Sequence, residues 1–197
     1  TRDAITATAP NYNGSATAVK TIDGSGLDPS GQFHNNASWQ AGDSWLGEST
    51  NVSSNGGGGS PTPNPNPGTT DTSNTWIRFD FDQVYALGLL RVWNYNGPLS
   101  ARGMNRVIIE YSATGGPSPS EWTRLGGAQK TFQFARGPGT QDYAGFQAAD
   151  FGGTQAKHVV LTAAQSEPNF GGTGNVGLSE VRFYMGPNEI AGPPAFF

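Results

Sequence analysis

The chain has 197 residues, no cysteine, 11 Lys+Arg against 15 Asp+Glu, and a formal net charge of -4. Disulfides and thiolate metal sites are therefore excluded, and the lack of any basic run argues against nucleic acid or an anionic membrane surface as partner. With only 13% charged residues but 29 Gly and 14 Pro, the composition suits a loop-rich β protein with uncharged polar surfaces.

Ala4 to Ala9 alternates small and β-branched residues and predicts a first strand. Pro10 to Gly14 is turn chemistry, and Ala16 to Ile22 allows one turn of helix. In Asp23-Gly24-Ser25-Gly26-Leu27-Asp28, glycines separate two carboxylates. Such a loop can curl its oxygens around Ca²⁺ or form a plain Asx-turn; the spacing is not that of an EF-hand. Phe33 to Leu46 places His34, Trp39 and Trp45 in a Gly- and Ser-rich stretch. Trp45 reads as core and His34, between Phe33 and two Asn, as rim. Residues 53–71 are Gly- and then Pro-rich and read as a loop inserted within one domain spanning 1–186. The tail, 187–197, reads as the start of a linker.

Trp76 to Asp82 is the clearest strand, with Ile77, Phe79 and Phe81 inward and Arg78, Asp80 and Asp82 outward. Leu89 to Trp93 and Arg106 to Ser112 follow. Trp122 to Leu125, Lys130 to Phe134 and Gly145 to Phe151 are shorter. His158 to Thr162 and Gly177 to Tyr184 complete the set. Many short strands separated by turns predict an all-β sandwich. No run of 18 apolar residues suggests a membrane helix, and no signal peptide is visible.

Trp93-Asn94-Tyr95-Asn96-Gly97 and Arg102-Gly103 stand where an apolar strand runs out into a loop. Aromatic faces beside amide and guanidinium groups match the needs of a sugar: rings cover its C–H surfaces while Asn and Arg bond its hydroxyls. Trp93 can equally be core, and the Asn residues turn formers.

Thr21-Ile22-Asp23-Gly24, Trp76-Ile77-Arg78-Phe79-Asp80-Phe81, Leu90-Arg91-Val92-Trp93-Asn94, Val107 to Ser112, Trp122-Thr123 and Gly177 to Tyr184 occur in that order. Together they resemble the discoidin-like, factor V/VIII type C domains, including carbohydrate-binding module family 32, over roughly residues 4 to 185. The resemblance implies a galactose-binding-domain-like jelly roll of about eight antiparallel strands, with ligand held by loops at one end. It implies a structural Ca²⁺ bound by the side chains of Asp23 and Glu180, with Ser25, Asp28 and the carbonyls of Lys20 and Ser179 completing the shell. Asp28 departs from the family pattern, where Thr is usual. For the sugar it implies His34, Arg102, and Asn94 or Asn96, with an aromatic among Trp39, Tyr95, Tyr143 and Phe170; Asp3, Asp43 and Glu48 have weaker claims. The expected protein is a secreted or cell-surface bacterial module, monomeric within a multidomain chain. It would be non-catalytic, binding a polysaccharide or glycan for an attached enzyme. The alternatives are a glycoside hydrolase or lyase on the same sandwich, and a protein-binding adhesion module. No Gly-x-Ser-x-Gly or His-Glu-x-x-His motif is present. The loop tips are Gly, Asn and Pro rather than the apolar spikes of lipid binders.

Overall fold

The structure, a computed structural model, describes residues 4–10, 15–35, 42–48, 72–172 and 175–186. Trp39, Asp3 and the whole of the 53–71 insertion lie outside the described residues. The strands are β1 (Ile5–Thr8), β2 (Trp45–Glu48), β3 (Thr72–Asn94), β4 (Arg106–Ser112), β5 (Thr123–Arg124), β6 (Phe132–Gln133), β7 (Phe146–Ala164) and β8 (Asn175–Met185). Every strand pairing is antiparallel. Short 3-10 turns run over Ala18–Thr21, Ser100–Arg102 and Pro119–Glu121. This is the expected eight-stranded jelly-roll sandwich.

Two long strands span both layers. The expected strands at 76–82 and 89–93 are one strand, β3, and those at 145–151 and 158–162 are one strand, β7. Sequence alone splits each because the pleat is interrupted. The β3–β7 register slips between Asp80 and Tyr85 and again between Leu87 and Leu89, and such bulges bend a strand and break its alternation. Before the first slip β3 pairs with β1 on one side and β7 on the other; beyond it β3 lies between β7 and β8. One continuous chain thus turns the corner from one sheet to the other.

The core lies between the layers. Ile77, Phe79, Leu90, Val92, Val107, Ile109, Val159, Leu161 and Val181 are fully enclosed, as their alternation requires. Phe183 of β8 meets Phe79 and Phe81 edge-on at ring-centroid distances of 5.3 and 5.2 Å, the favoured aromatic geometry. Trp45 is core, as its sequence context suggests, but it begins an edge strand beside β8 that the sequence does not announce.

Candidate functional site

Loops 95–105, 134–145 and 165–172 come together where β3 ends and β7 and β8 begin. Their backbones are bracketed by two buried amides. Asn94 donates from Nδ2 to the carbonyls of Met104 (2.7 Å) and Ala135 (2.8 Å) and accepts from the N–H of Tyr95 (2.9 Å). Asn96 donates to the carbonyls of Asn35 and Thr140, both 2.8 Å, and accepts from the N–H of Gly139 (2.8 Å). Both side chains have no exposed surface. Their placement on a ligand-facing rim is therefore corrected: the amides spend their donors and acceptors on backbone groups that would otherwise be buried unpaired.

His34 is corrected in the same way. It is fully buried. Its backbone exchanges hydrogen bonds with Tyr143, and its Nδ1 donates to the carbonyl of Asn35 at 2.7 Å. Burial lowers its pKa and holds the ring neutral. Gly26 stands against it with φ +78°; a Cβ there would come within 2.6 Å of His34 Nε2. The glycine that looked like metal-loop chemistry is thus needed by the histidine. Tyr95 packs its ring with Ala16 and Leu46, its hydroxyl buried without a partner among the described residues. Burial raises the Tyr95 pKa, and the Arg102 charge works in the other direction. Tyr143 is half-buried, accepts from the N–H of Asn94 at 3.4 Å, and has its pKa pushed up to about 12 by burial.

Two expected ligand residues lie on adjoining surface loops. Arg102 ends the Ser100–Arg102 turn and is half-buried. Phe170, also half-buried, is held beside that turn by its N–H donating to the carbonyl of Ala101 at 2.9 Å. Two residues that sequence reading missed join them: exposed Leu99, and Arg136, whose Nε donates to Ser100 Oγ at 3.1 Å. Arg136 carries no sequence signal, since Ala135-Arg136-Gly137-Pro138 reads only as a turn. Sequence analysis assigned to the ligand several polar residues that hold those loops together.

The residues expected to hold a metal fall on a second feature. Asp23 forms the Asx-turn, accepting at Oδ1 from the N–H of Ser25 at 2.8 Å and from the Ser25 hydroxyl. Its Oδ2 lies 3.1 Å from Lys20 Nζ. Glu180 is 2% exposed; its Oε1 faces Arg182 Nε at 3.5 Å, and its Oε2 has no hydrogen-bond partner among the described residues. Burial pushes its pKa up to about 8; Arg182 pulls the other way, Asp23 adds repulsion, and the N–H of Gly24 offsets part of it. Two carboxylates that repel each other, one with an orphaned buried oxygen, fit a divalent cation. Ser179, before Glu180, lies where the β3–β8 register slips between Trp93 and Asn94. Its hydroxyl meets Ser44 Oγ at 2.9 Å and accepts from the N–H of Asn96 at 3.1 Å. Among the described residues no three His, Asp or Glu side chains form a metal cluster, so carbonyl and hydroxyl oxygens would have to supply the rest.

Asp28 does other work. Its oxygens accept from Ser30 Oγ (2.6 Å), Ser30 N–H (3.3 Å), Gln32 N–H (2.9 Å) and Phe33 N–H (3.0 Å). The Ser30 hydroxyl and these N–H groups lower its pKa to about 2. The expected place in the metal shell is corrected to that of organiser of the 28–33 turn. That turn rests on Trp93, which lies on the outer face of the sheet rather than in the core and is nonetheless 1% exposed. Trp93 Nε1 donates to the carbonyl of Gln32 at 3.2 Å, and the guanidinium carbons of Arg91 and Arg182 lie 4.9 and 5.5 Å from the Trp93 ring.

The described residues thus form an all-β sandwich with loops gathered at one end. No family model matches the chain, and no curated protein matches it by sequence. Solved structures do. GH31 CBM32-2 bound to GalNAc aligns with a TM-score of 0.53 and 16% identity, over 91% of this chain and 95% of that one. CBM32-3 from a family 31 glycoside hydrolase of Clostridium perfringens aligns with a TM-score of 0.54 and 13% identity, over 93% and 92%. A Streptococcus pneumoniae fucose binding module aligns with a TM-score of 0.51 and 12% identity, over 89% and 87%. At these identities the likeness is one of fold.

Proposed function

We propose that this chain is a non-catalytic, extracellular carbohydrate-binding module that uses its loop end to hold a glycan for an attached bacterial enzyme or surface protein. The observation that carries the reading is that the Arg102 turn and the Phe170 loop are tied side by side, the Phe170 N–H donating to the Ala101 carbonyl, over a scaffold of buried amides. A planar guanidinium can bond two vicinal hydroxyls at once, and a phenyl ring can cover the apolar face of a pyranose. The buried scaffold fixes both before the ligand arrives, which lowers the ordering cost of binding. Binding is reversible and breaks no bond. The fold, shared with a module holding GalNAc and one named for fucose, supports the same class of ligand.

Ca²⁺ belongs to the same proposal as a structural ion. Asp23 and Glu180 would hold it, with Ser25 and the carbonyls of Lys20 and Ser179. The ion would supply the positive charge that lets Glu180 stay ionised inside the protein. Arg102→Ala tests the loop-end site. Glycan affinity should fall at least about tenfold while the melting temperature stays unchanged. Unaltered affinity would remove Arg102 from the site.

A further inference from the structure

Beside the metal cradle, between the 22–32 loop and the outer face of β3 and β8, lies a cleft of about 820 Å³. Its walls include Asp28, Gln32, Arg91, Glu180, Arg182 and Tyr184. Loop-end binding does not use it. Tyr184 lies roughly 20 Å along β8 from Gly177, the residue bridged to Gly103 at the loop end.

We propose that this cleft is a second glycan-binding site, taking one or two residues of an uncharged pyranose chain along the flank of the sandwich. The volume falls within the range of small-ligand sites, about 300–1,000 Å³. Its walls are rigid. Trp93 sits between Arg91 and Arg182, Arg91 grips the carbonyl of Ala144 through Nε and Nη2, and Arg182 Nη1 donates to the carbonyl of Gly31 at 3.0 Å. Asp28 is locked by the 28–33 turn.

The ligand class follows from how the charges are already spent. Arg182 faces Glu180, Arg91 is held by a carbonyl and a ring, and the Asp28 carboxylate is covered by a hydroxyl and three N–H groups. The walls therefore set two arginines against two carboxylates and offer directional donors and acceptors, which suits hydroxyls. Tyr184, half-buried, lines the cleft, and an aromatic residue there suits a pyranose ring.

Amide and indole NMR of the whole chain in calcium-containing buffer tests this, with neutral galacto-, gluco- and manno-oligosaccharides and with oligogalacturonate as probes. The Trp93 indole N–H, assigned with Trp93→Phe, reports the cleft; the Arg102 and Phe170 amides report the loop end. A neutral oligosaccharide should shift the Trp93 indole signal in wild type and in Arg102→Ala alike. Tyr184→Ala, checked for an unchanged melting curve, should weaken that shift about tenfold. A Trp93 signal unmoved by every neutral probe overturns the second site, whatever happens at the loop end. A shift seen only with oligogalacturonate overturns the ligand class. Silence at Arg102 and Phe170 alone would remove the loop-end reading and leave the cleft standing.

Discussion

In calcium-free buffer the protein's stability should depend on pH through Glu180. In the folded chain without a cation, burial holds this carboxyl near a pKa of about 8, against an ordinary value of 4.5. Below pH 4.5 the group is protonated in both folded and unfolded states, so it costs nothing. As pH rises the unfolded chain releases the proton while the folded chain keeps it, so stability falls steadily until about pH 8. The interval amounts to on the order of 4 kcal/mol, or roughly 10 °C of melting temperature for a domain of this size. Buried His34, held neutral, works in the opposite sense: stability rises with pH as the unfolded histidine loses its proton. The difference between wild type and Glu180→Gln isolates the carboxylate. Calorimetry in chelator from pH 5 to 8 should show wild type losing stability relative to Glu180→Gln, and excess calcium should restore wild type but not the variant. Parallel pH profiles for the two proteins, or equal calcium stabilisation of both, would refute the assignment.

Other expectations concern the scaffold. Asn96→Ala strands the carbonyls of Asn35 and Thr140 and the N–H of Gly139. It should cost about 2–4 kcal/mol in chemical denaturation, whereas a rim residue would cost close to nothing. Gly26→Ala forces a left-handed residue into the His34 ring; a loss of about 1–3 kcal/mol is expected, and an unchanged midpoint would show that the loop adapts. Phe183→Ala removes the ring at the centre of the aromatic cluster and should cost about 3–5 kcal/mol, measured by urea titration.

The strands were legible because each carries its own alternation. Ile77, Phe79 and Phe81 need no partner to declare an inward face, and Val181 and Phe183 declare theirs equally. The length of β3 and β7 was not legible, because bulges at Asp80–Tyr85 and Leu87–Leu89 erase the period-two pattern where the strands bend between sheets. Polar residues in the loops were harder to read. Asn94, Asn96 and His34 have the donors and acceptors of a sugar site, but the same groups satisfy loop backbones, and only three-dimensional placement separates the two uses. Trp93 shows the reverse. Its doubtful status resolves into neither core nor open platform, since a residue facing outward is covered by two arginines and a turn drawn from 61 residues away. The Arg91–Trp93–Arg182 stack joins β3 to β8, and a linear reading cannot pair those strands.

Isothermal titration of the chain and of Arg102→Ala with glycans chosen from an array tests the central claim most directly. The account predicts saturable binding of at least one neutral glycan to wild type, and a loop-end affinity lowered at least about tenfold in the variant, at equal melting temperature. No glycan bound by the folded, calcium-loaded wild type would contradict it.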